Sequence, residues 1–416
     1  MNNFHRFNFK LPLLLLLPAL ILFSFNSYSQ SQSFTVKKIW DKAPHNAFTD
    51  LIRFEGKFYC TFREANSHAI RTTADFGKIR VLISNDGEEW ESFALIEKNG
   101  YDLRDPSLSI TPAGKLMLLM AGSLYDGVKI AAVHCQVSFL DQKKNSFSDT
   151  KPIKYHKNVN SDLNWLWRIT WFKGEAYGVV YQLEKGTSMS KIYLVKSKDG
   201  VNYTLVTPLE VEGTPNETAL NITPEGKLAL LVRREGKNED GLFGESNHPF
   251  KKWNWVHTGF KLGGPRFIFA PDGELLIGTR TFSKTGNWLT GLLVSDSTGR
   301  FKQIFEFPSK GDCSYPGMLI HNDKLYFSYY SSHEGKPSIY LAQIPVSKLN
   351  TTIGAINWGL VSGKTNTIYA WDKAVPDGGQ PVEWFHDIFK KDGTPYLQNE
   401  VDLIKQINVG RIHIPN

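Results

Sequence analysis

The feature that most constrains the fold is a repeated unit in which two strands flank a short turn. Six units follow one another: FTDLIRFEGKFYCTFRE, DPSLSITPAGKLMLLMAG, WRITWFKGEAYGVVYQ, ETALNITPEGKLALLVRRE, PRFIFAPDGELLIGTRTF and SYPGMLIHNDKLYFSYYSS. Apolar runs on both sides of a Gly or Asn-Asp turn are a strong local signal for a β-hairpin. A polar residue near the start of each unit serves as a marker: His45, Arg104, Arg168, Glu217, Arg266 and Tyr315. From Arg168 onward the markers lie 49 residues apart, and a period of about 50 residues is typical of a β-propeller.

The chain is therefore predicted to be all-β, with a six- or seven-bladed β-propeller over residues 33–375. Seven blades are favoured, because SFTVKKIW near residue 33 and NTIYAWDK near residue 366 supply further strands from the two ends. Residues 376–416 are predicted to form a short C-terminal appendage. Turns of the form Ser-x-Asp-x-Gly-x-aromatic, at 84–90, 197–203 and more loosely 295–301, are expected to be structural, with Asp accepting backbone N–H bonds.

An N-terminal segment, residues 1–29, has the pattern of a secretory signal peptide. Arg6 and Lys10 precede an apolar run, LPLLLLLPALILFSF, that is short for a bilayer span, and small residues follow it. No later run approaches the ~18 apolar residues of a membrane helix. We therefore expect a periplasmic or secreted chain that makes no membrane contact after cleavage.

The charge indicates an anionic partner. The formal net charge is +7, and loss of Arg6 and Lys10 with the signal peptide lowers it by two, to +5. No run of five like charges is present, which argues against nucleic acid. The expected partner is an acidic oligosaccharide or polysaccharide. The protein is expected to be a monomer. The three cysteines, Cys60, Cys135 and Cys313, are expected to be buried free thiols, and no metal ion or cofactor is predicted.

The markers are predicted to meet at one place, because the innermost strands of all blades begin at the same mouth of a central channel. The residues expected there are His45, Arg104, Asp105, Arg168, Glu217, Arg266 and Tyr315, joined by Arg233 and Arg280 from the ends of the paired strands. Guanidinium groups hold carboxylate or sulfate through bidentate bonds. Alternatively, individual arginines pair with aspartates and fix adjacent blades.

The repeats and turns resemble those of the sialidase superfamily over roughly residues 40–345. Asn216-Glu217 followed by Arg233 resembles the sialidase glutamate and its carboxylate-binding arginine, and Ser314-Tyr315-Pro316 resembles the nucleophile tyrosine. The opening differs, because the Arg-Ile-Pro motif of sialidases is missing and residues 45–51 read HNAFTDL.

The opening HNAFTDLIRF is similar to secreted propellers that act on rhamnose–glucuronate units, including α-L-rhamnosidases of glycoside hydrolase family 145, lyases and dehydratases. This resemblance implies that His45 is an acid/base, with Arg104, Arg168 and Arg266 holding a uronate carboxylate. A histidine can remove the C5 proton of a uronate while Tyr315 or water protonates the group that leaves C4. The reaction is then that of a lyase or a dehydratase, whereas activation of water at rhamnose gives a hydrolase.

Two alternatives remain open from the sequence. In a sialidase-like glycoside hydrolase, Tyr315 is the nucleophile, Glu217 activates it, and Asp105 or Asp50 is the acid. In a non-catalytic glycan-binding propeller, exposed indoles form the contact surface, and the candidates are Trp165, Trp167, Trp171, Trp253 and Trp255.

Overall fold

The computed structural model describes residues 34–349 except 160, 185–189, 238, 272, 284 and 296–300. Over these residues the chain is a β-propeller of six sheets, or blades, each containing four to six strands. The strands pair antiparallel, apart from one short parallel edge strand in the third sheet. In the first, fourth and fifth blades the strands run outward in chain order, from the central channel to the rim, whereas in the third a short strand that precedes the innermost one lies at the outer edge.

The strands of the first three blades are as follows. Blade 1 contains β2 (His45–Phe54), β3 (Lys57–Ala65), β4 (Lys78–Ser84) and β5 (Glu91–Ile96), while β1 (Thr35–Trp40) belongs to blade 6. Blade 2 contains β6 (Asp102–Ile110), β7 (Leu116–Asp126), β8 (Lys129–Val133), β9 (Gln136–Asp141), β10 (Ser146–Phe147) and β11 (Lys151–Pro152). Blade 3 contains β12 (Lys154–Tyr155), β13 (Asn164–Phe172), β14 (Glu175–Leu183), β15 (Ser190–Ser197) and β16 (Asn202–Leu209).

The remaining blades each have four strands. Blade 4 contains β17 (Pro215–Ile222), β18 (Leu228–Arg234), β19 (Leu242–Ser246) and β20 (Asn254–His257). Blade 5 contains β21 (Arg266–Phe269), β22 (Leu275–Phe282), β23 (Trp288–Ser295) and β24 (Phe301–Phe307). Blade 6 contains β25 (Cys313–His321), β26 (Lys324–Ser331), β27 (Ser338–Pro345) and β1. Short 3-10 helices span Thr73–Asp75, Lys157–Val159 and Val346–Lys348.

The all-β propeller is confirmed, but the favoured count of seven blades is wrong. The N-terminal strand β1 pairs antiparallel with β27, with Thr35 opposite Gln343, and becomes the outer strand of blade 6. The N-terminal segment therefore covers the open edge of the last blade and closes the ring at six. The predicted strand near residue 366, the C-terminal appendage and the signal peptide lie outside the described residues.

The core lies between neighbouring blades, and the second strands supply much of it. In β7, Leu116, Leu118 and Met120 belong to a cluster that includes Val81 of blade 1. The alternate residues, such as Leu119, belong to the cluster that includes residues of blade 3. A strand has two faces and a period of two residues, so a strand buried on both faces reads as a continuous apolar run. Full burial of each such side chain contributes about 1.5–3 kcal/mol.

The predicted structural turns are confirmed where the structure describes them. Asp86 accepts hydrogen bonds from the backbone N–H groups of Glu88 and Glu89 at 2.8 and 3.1 Å, and Asp199 caps the turn at 197–203 in the same way. The looser copy at 295–301 is largely outside the described residues. All three cysteines are buried free thiols, as expected. No described helix has the length and apolar character needed to cross a bilayer.

Candidate active site

The innermost strands are interrupted by β-bulges at equivalent positions near the channel mouth. Pairing with the second strand shifts register in β2, β6, β13, β17 and β25, in each case a few residues after the strand begins. Phe48, Asp105 and Tyr315 lie within these bulges at φ values of 64°, 50° and 51°, in the left-handed region. A bulge re-aims a side chain, and such backbone costs about 1–3 kcal/mol unless the surroundings hold it. The bulges therefore gather side chains from distant parts of the sequence.

Residues from four blades meet around a small hollow at the channel mouth, which is too narrow to enclose a water molecule. Its lining is formed by Phe48, Thr49, Asp105, Pro106, Trp167, Arg168 and Tyr315. Three of the predicted site residues, Asp105, Arg168 and Tyr315, thus lie together as the propeller geometry requires. The hollow is narrow because aromatic rings occupy much of it.

Tyr315, Glu217 and Arg233 form one hydrogen-bonded group at this mouth. The Tyr315 hydroxyl donates to Glu217 Oε1 at 2.8 Å, and Arg233 Nη1 lies 2.6 Å from Glu217 Oε2. Arg233 Nη1 also donates to the Tyr315 oxygen at 3.3 Å, and Arg233 has a second acidic partner in Glu235. Burial, followed by the charge of Glu217, raises the pKa of Tyr315 well above its usual range, so the phenol is neutral at rest.

A glycine in the loop before β21 makes this arrangement possible. Gly264 donates its backbone N–H to Glu217 Oε2 at 2.9 Å from a φ of +57°. A Cβ at Gly264 would lie 2.3 Å from Cγ of Tyr315, well inside contact distance. Only glycine allows the backbone to reach the carboxylate while the tyrosine ring packs against it.

Asp105 presents a carboxyl group to the same mouth. Its burial, followed by the charge of Glu217, raises the pKa of Asp105 to about 7. It forms no hydrogen bond or ion pair with any residue that the structure describes. Asp50, the other acid considered from the sequence, is fully buried and is held by Arg168 at 2.9 Å and by the Leu108 N–H at 2.7 Å. Asp105 is therefore the aspartate that can exchange a proton with a bound molecule.

A second group, centred on Asp312, lies beside the first. His45 Nε2 and His68 Nδ1 lie 2.9 and 2.8 Å from Asp312 Oδ2, and the Tyr330 hydroxyl donates to Oδ1 at 2.7 Å. Although burial opposes ionisation, the hydrogen bonds from His45 and His68 hold the pKa of Asp312 well below its usual range. Burial lowers the pKa of His45, and its free ring atom Nδ1 is buried without a partner.

The side chain of His68 is half exposed, unlike that of His45. Because Nδ1 of His68 is hydrogen-bonded to Asp312, Nε2 is the ring nitrogen of His68 that can contact a substrate. The ligand atoms of His45, His68 and Asp312 lie within 4.8 Å of one another, so these residues are also the described set that could hold a metal ion.

Phe48 and Arg280 join the two groups. The Phe48 ring lies 5.0 Å from that of Tyr315 and 5.4 Å from that of His68, measured between centroids. The Arg280 guanidinium lies 5.2 Å from the Tyr315 ring, and its Nη2 donates to the Tyr330 hydroxyl at 3.3 Å. Tyr315 and the histidines are thus parts of one continuous site.

The predicted arginines separate into two kinds. Arg168 pairs with Asp50, and Arg104 lies 2.6 Å from Asp102, which also binds Arg63 of blade 1 at 2.8 Å. These contacts match the alternative in which arginines pair with aspartates, so carboxylate binding by Arg104 and Arg168 stays a prediction.

Arg266 differs from those two arginines. It forms no ion pair with a described residue, and burial lowers its pKa. Its Nε is buried without a partner, as is the Nε of Arg168. Arg233 and Arg280 are the arginines that reach the Tyr315 ring or hydroxyl.

Reasoning from the innermost strands missed Asp312, His68 and Tyr330. Asp312 lies in the loop immediately before β25, His68 in the loop after β3, and Tyr330 near the end of β26. In an antiparallel pair the second strand ends where the first begins. The residues that follow the second strand of each blade were therefore equally good candidates for the mouth.

The solved structures to which this chain is similar share its fold at low sequence identity. A Dyadobacter fermentans protein of unknown function is 18% identical, with a TM-score of 0.63 over 74% of this chain and 98% of its own. Trypanosoma rangeli sialidase is 14% identical with a TM-score of 0.59, and the match covers 82% of this chain but only 61% of the sialidase. A Penicillium chrysogenum α-L-arabinanase complexed with arabinobiose is 13% identical with a TM-score of 0.58, over 75% and 98% of the two chains.

The class that the fold defines is therefore a six-bladed β-propeller of sialidase-like architecture. No protein-family model and no curated protein matches the sequence. The resemblance to the rhamnose–glucuronate propellers stays a prediction.

Proposed function

We propose that this protein is a carbohydrate-active enzyme that cleaves a terminal acidic sugar from an oligosaccharide, with Tyr315 as nucleophile and Glu217 as its base. The observation that carries the proposal is the 2.8 Å hydrogen bond from the Tyr315 hydroxyl to Glu217. A nucleophile within hydrogen-bond reach of a base that is itself held by a third group is the geometry of covalent catalysis. Here Arg233 and the Gly264 N–H hold the base.

The charge of the pair fits an anionic substrate. A carboxylate nucleophile would be repelled by a sugar carboxylate, whereas the Tyr315 phenol stays neutral until it attacks. When the Tyr315 oxygen bonds to the anomeric carbon, its proton passes to Glu217 and the glycosidic oxygen leaves with the bonding electrons. Asp105, protonated below pH about 7, supplies the proton that the leaving oxygen needs.

The position of the site favours a chain end as substrate. Because the hollow lined by Tyr315 is too narrow to hold a sugar ring, we place the terminal ring above it at the mouth, with the rest of the chain extending away from the propeller. Arg280 and Arg266 are the cations that we assign to the sugar carboxylate. The likeness of fold to a protein named as a sialidase and to another named as an arabinanase supports a glycan substrate.

A second candidate uses the histidines. In this reaction the substrate is a terminal uronate–rhamnose unit, and a histidine removes the C5 proton. The C–H electrons form a C4–C5 double bond, and the C4 substituent leaves with a proton from Tyr315. The contact between Asp312 and His68 at 2.8 Å favours this candidate, because it orients one ring nitrogen and leaves the other exposed. His68 is better placed than the predicted His45 to meet a substrate, since both nitrogens of His45 are buried or engaged.

The two reactions give different products. The purified protein is incubated with a sialoside, an aryl glucuronide and rhamnose–glucuronate oligosaccharides, and released sugars are identified by mass spectrometry. Hydrolysis gives saturated sugars, and a 2-fluoro-sugar analogue labels Tyr315 covalently; Tyr315→Phe abolishes both. Elimination gives an unsaturated uronate with ultraviolet absorbance, which His68→Ala abolishes. Saturated rhamnose released by a protein with unlabelled Tyr315 supports histidine-assisted hydrolysis. If none of these substrates gives a product, the proposal is contradicted.

A further inference from the structure

A groove lies between blades 2 and 3 at the end of the propeller away from the candidate active site. It has a volume of about 750 Å³, and its lining includes the turn after β6, the loop after β9 and the turn after β15. Strand β6 carries Asp105 near its start and leads to Thr111 in the groove, six residues further on, which spans ~20 Å at about 3.3 Å per residue. A ligand in this groove therefore does not touch Tyr315.

Four lysines surround this groove: Lys115, Lys143, Lys151 and Lys198. All four are exposed, and none forms an ion pair with a residue that the structure describes. Two acids, Asp141 and Asp199, also line the groove, but each accepts hydrogen bonds from two backbone N–H groups of its own turn. The groove is therefore lined by four cationic and two anionic side chains, a net charge of +2, and none of the four lysines has an ion-pair partner among the described residues.

An indole lies in the same groove. The Trp171 side chain is partly exposed, and its Nε1 donates to the Ser109 hydroxyl at 3.3 Å. This hydrogen bond fixes the ring where it can stack against a sugar ring, and the partly exposed Phe139 adds a second aromatic face. A Trp side chain has only two rotatable bonds, so it offers a large contact area and loses little conformational entropy on binding. Lysines around an aromatic face suit a sugar polymer that carries carboxylate or sulfate groups.

We propose that this lysine groove is a second glycan-binding site, which holds an anionic stretch of polysaccharide away from the catalytic mouth. The assignment to a polysaccharide rests on the proposed function, whereas the preference for an anion rests on the groove alone. Binding here would keep the enzyme on its polymer between successive cleavages. It would therefore lower KM for long substrates and leave small ones unaffected.

The test measures binding without catalysis. The full chain carrying Tyr315→Phe is titrated with polygalacturonate, with κ-carrageenan and with neutral dextran in affinity electrophoresis and calorimetry. The test variant adds Lys143→Glu, Lys151→Glu and Lys198→Glu. The matched control adds Lys251→Glu, Lys252→Glu and Lys302→Glu, which change the net charge equally at exposed positions in blades 4 and 5.

We expect an acidic polymer to bind, dextran not to bind, and the test variant to lose about tenfold or more in affinity while the control loses much less. Added salt should weaken binding of the acidic polymer by the Tyr315→Phe protein more than by the test variant, which has lost three of the lysines. Trp171→Ala, whose folding is checked by its unfolding curve, should weaken binding at both low and high salt.

The outcomes separate this inference from the proposed function. The groove is not a glycan-binding site if the test and control variants lose affinity equally, or if neither acidic polymer binds. This holds even if the enzyme cleaves a small acidic glycoside. Selective loss in the test variant supports the groove even if no cleavage is found. Displacement of the polysaccharide by an equal concentration of a single-stranded oligonucleotide overturns its assignment to glycans.

Discussion

Replacing Asp50 by Asn tests whether Arg168 is a structural residue or a substrate-binding one. The two side chains are 1% and 4% exposed and lie 2.9 Å apart, linking blades 1 and 3 across the channel. Asn keeps the size of Asp and an oxygen for the Leu108 N–H bond, so the substitution removes only the charge. Breaking a buried pair by removing one partner typically costs about 3–5 kcal/mol, because the remaining charge is uncompensated. For a chain of this size, such a loss lowers Tm by about 4–8 °C.

The assay is equilibrium unfolding in urea, followed by tryptophan fluorescence, for Asp50→Asn, Arg168→Met and the double variant. The double variant should recover part of the loss, because the buried cation is removed as well. Lys78→Gln is the control, since its partner Glu97 is a surface residue and such pairs contribute about 1 kcal/mol or less. Wild-type stability in Asp50→Asn together with a raised KM would refute the reasoning and return Arg168 to the substrate carboxylate.

The remaining predictions concern three residues of the mouth itself. Asp105, with a pKa of about 7, should give a kcat that falls as pH rises through that value, and Asp105→Asn should remove this limb of the pH–rate profile; an unchanged profile would exclude Asp105 as the acid. The stability that depends on the same group should fall between about pH 4 and 7, because the unfolded carboxyl ionises there while the folded one keeps its proton. Gly264→Ala should lower kcat at least about tenfold with little change in overall secondary structure, since its Cβ would displace the Tyr315 ring; wild-type kcat would show that the ring position is not critical. Arg280→Gln should raise KM for an acidic substrate more than for an uncharged analogue, and equal changes for the two would contradict its assignment to the carboxylate.

The fold was predictable because its signals are local and repeated. Each hairpin depends on a few turn residues and on apolar runs on both sides, and the caps formed by Asp86 and Asp199 have the predicted form. The number of blades could not be predicted from local sequence signals. It depends on whether β1 starts a new sheet or adds to the edge of β27, and that choice depends on a contact between residues some 300 positions apart.

The candidate site was predictable in part for the same reason. Glu217 and Tyr315 occupy equivalent steps of two innermost strands, so the period placed them at one mouth, and the structure joins them directly. The partners of the arginines were not visible, because Asp102 and Asp50 have no distinctive spacing from the residues that they bind. His68 and Asp312 lie in loops of irregular length, where periodicity gives no register.

Because Arg104 and Arg168 are already paired with aspartates, fewer arginines are left to bind an anionic substrate. A buried guanidinium whose aspartate is already at hydrogen-bond distance gains little from a second anion, since that anion would have to displace or share the first. Arg280 is in a different position, because its two close acceptors, the Cys313 carbonyl and the Tyr330 hydroxyl, are uncharged and its nearest carboxylate, Asp312, lies 3.8 Å away. Asp312 in turn is shared with two histidines. Among the arginines that reach Tyr315, Arg280 is therefore the one whose charge has no carboxylate at hydrogen-bond distance, and this is why we assign the sugar carboxylate to it.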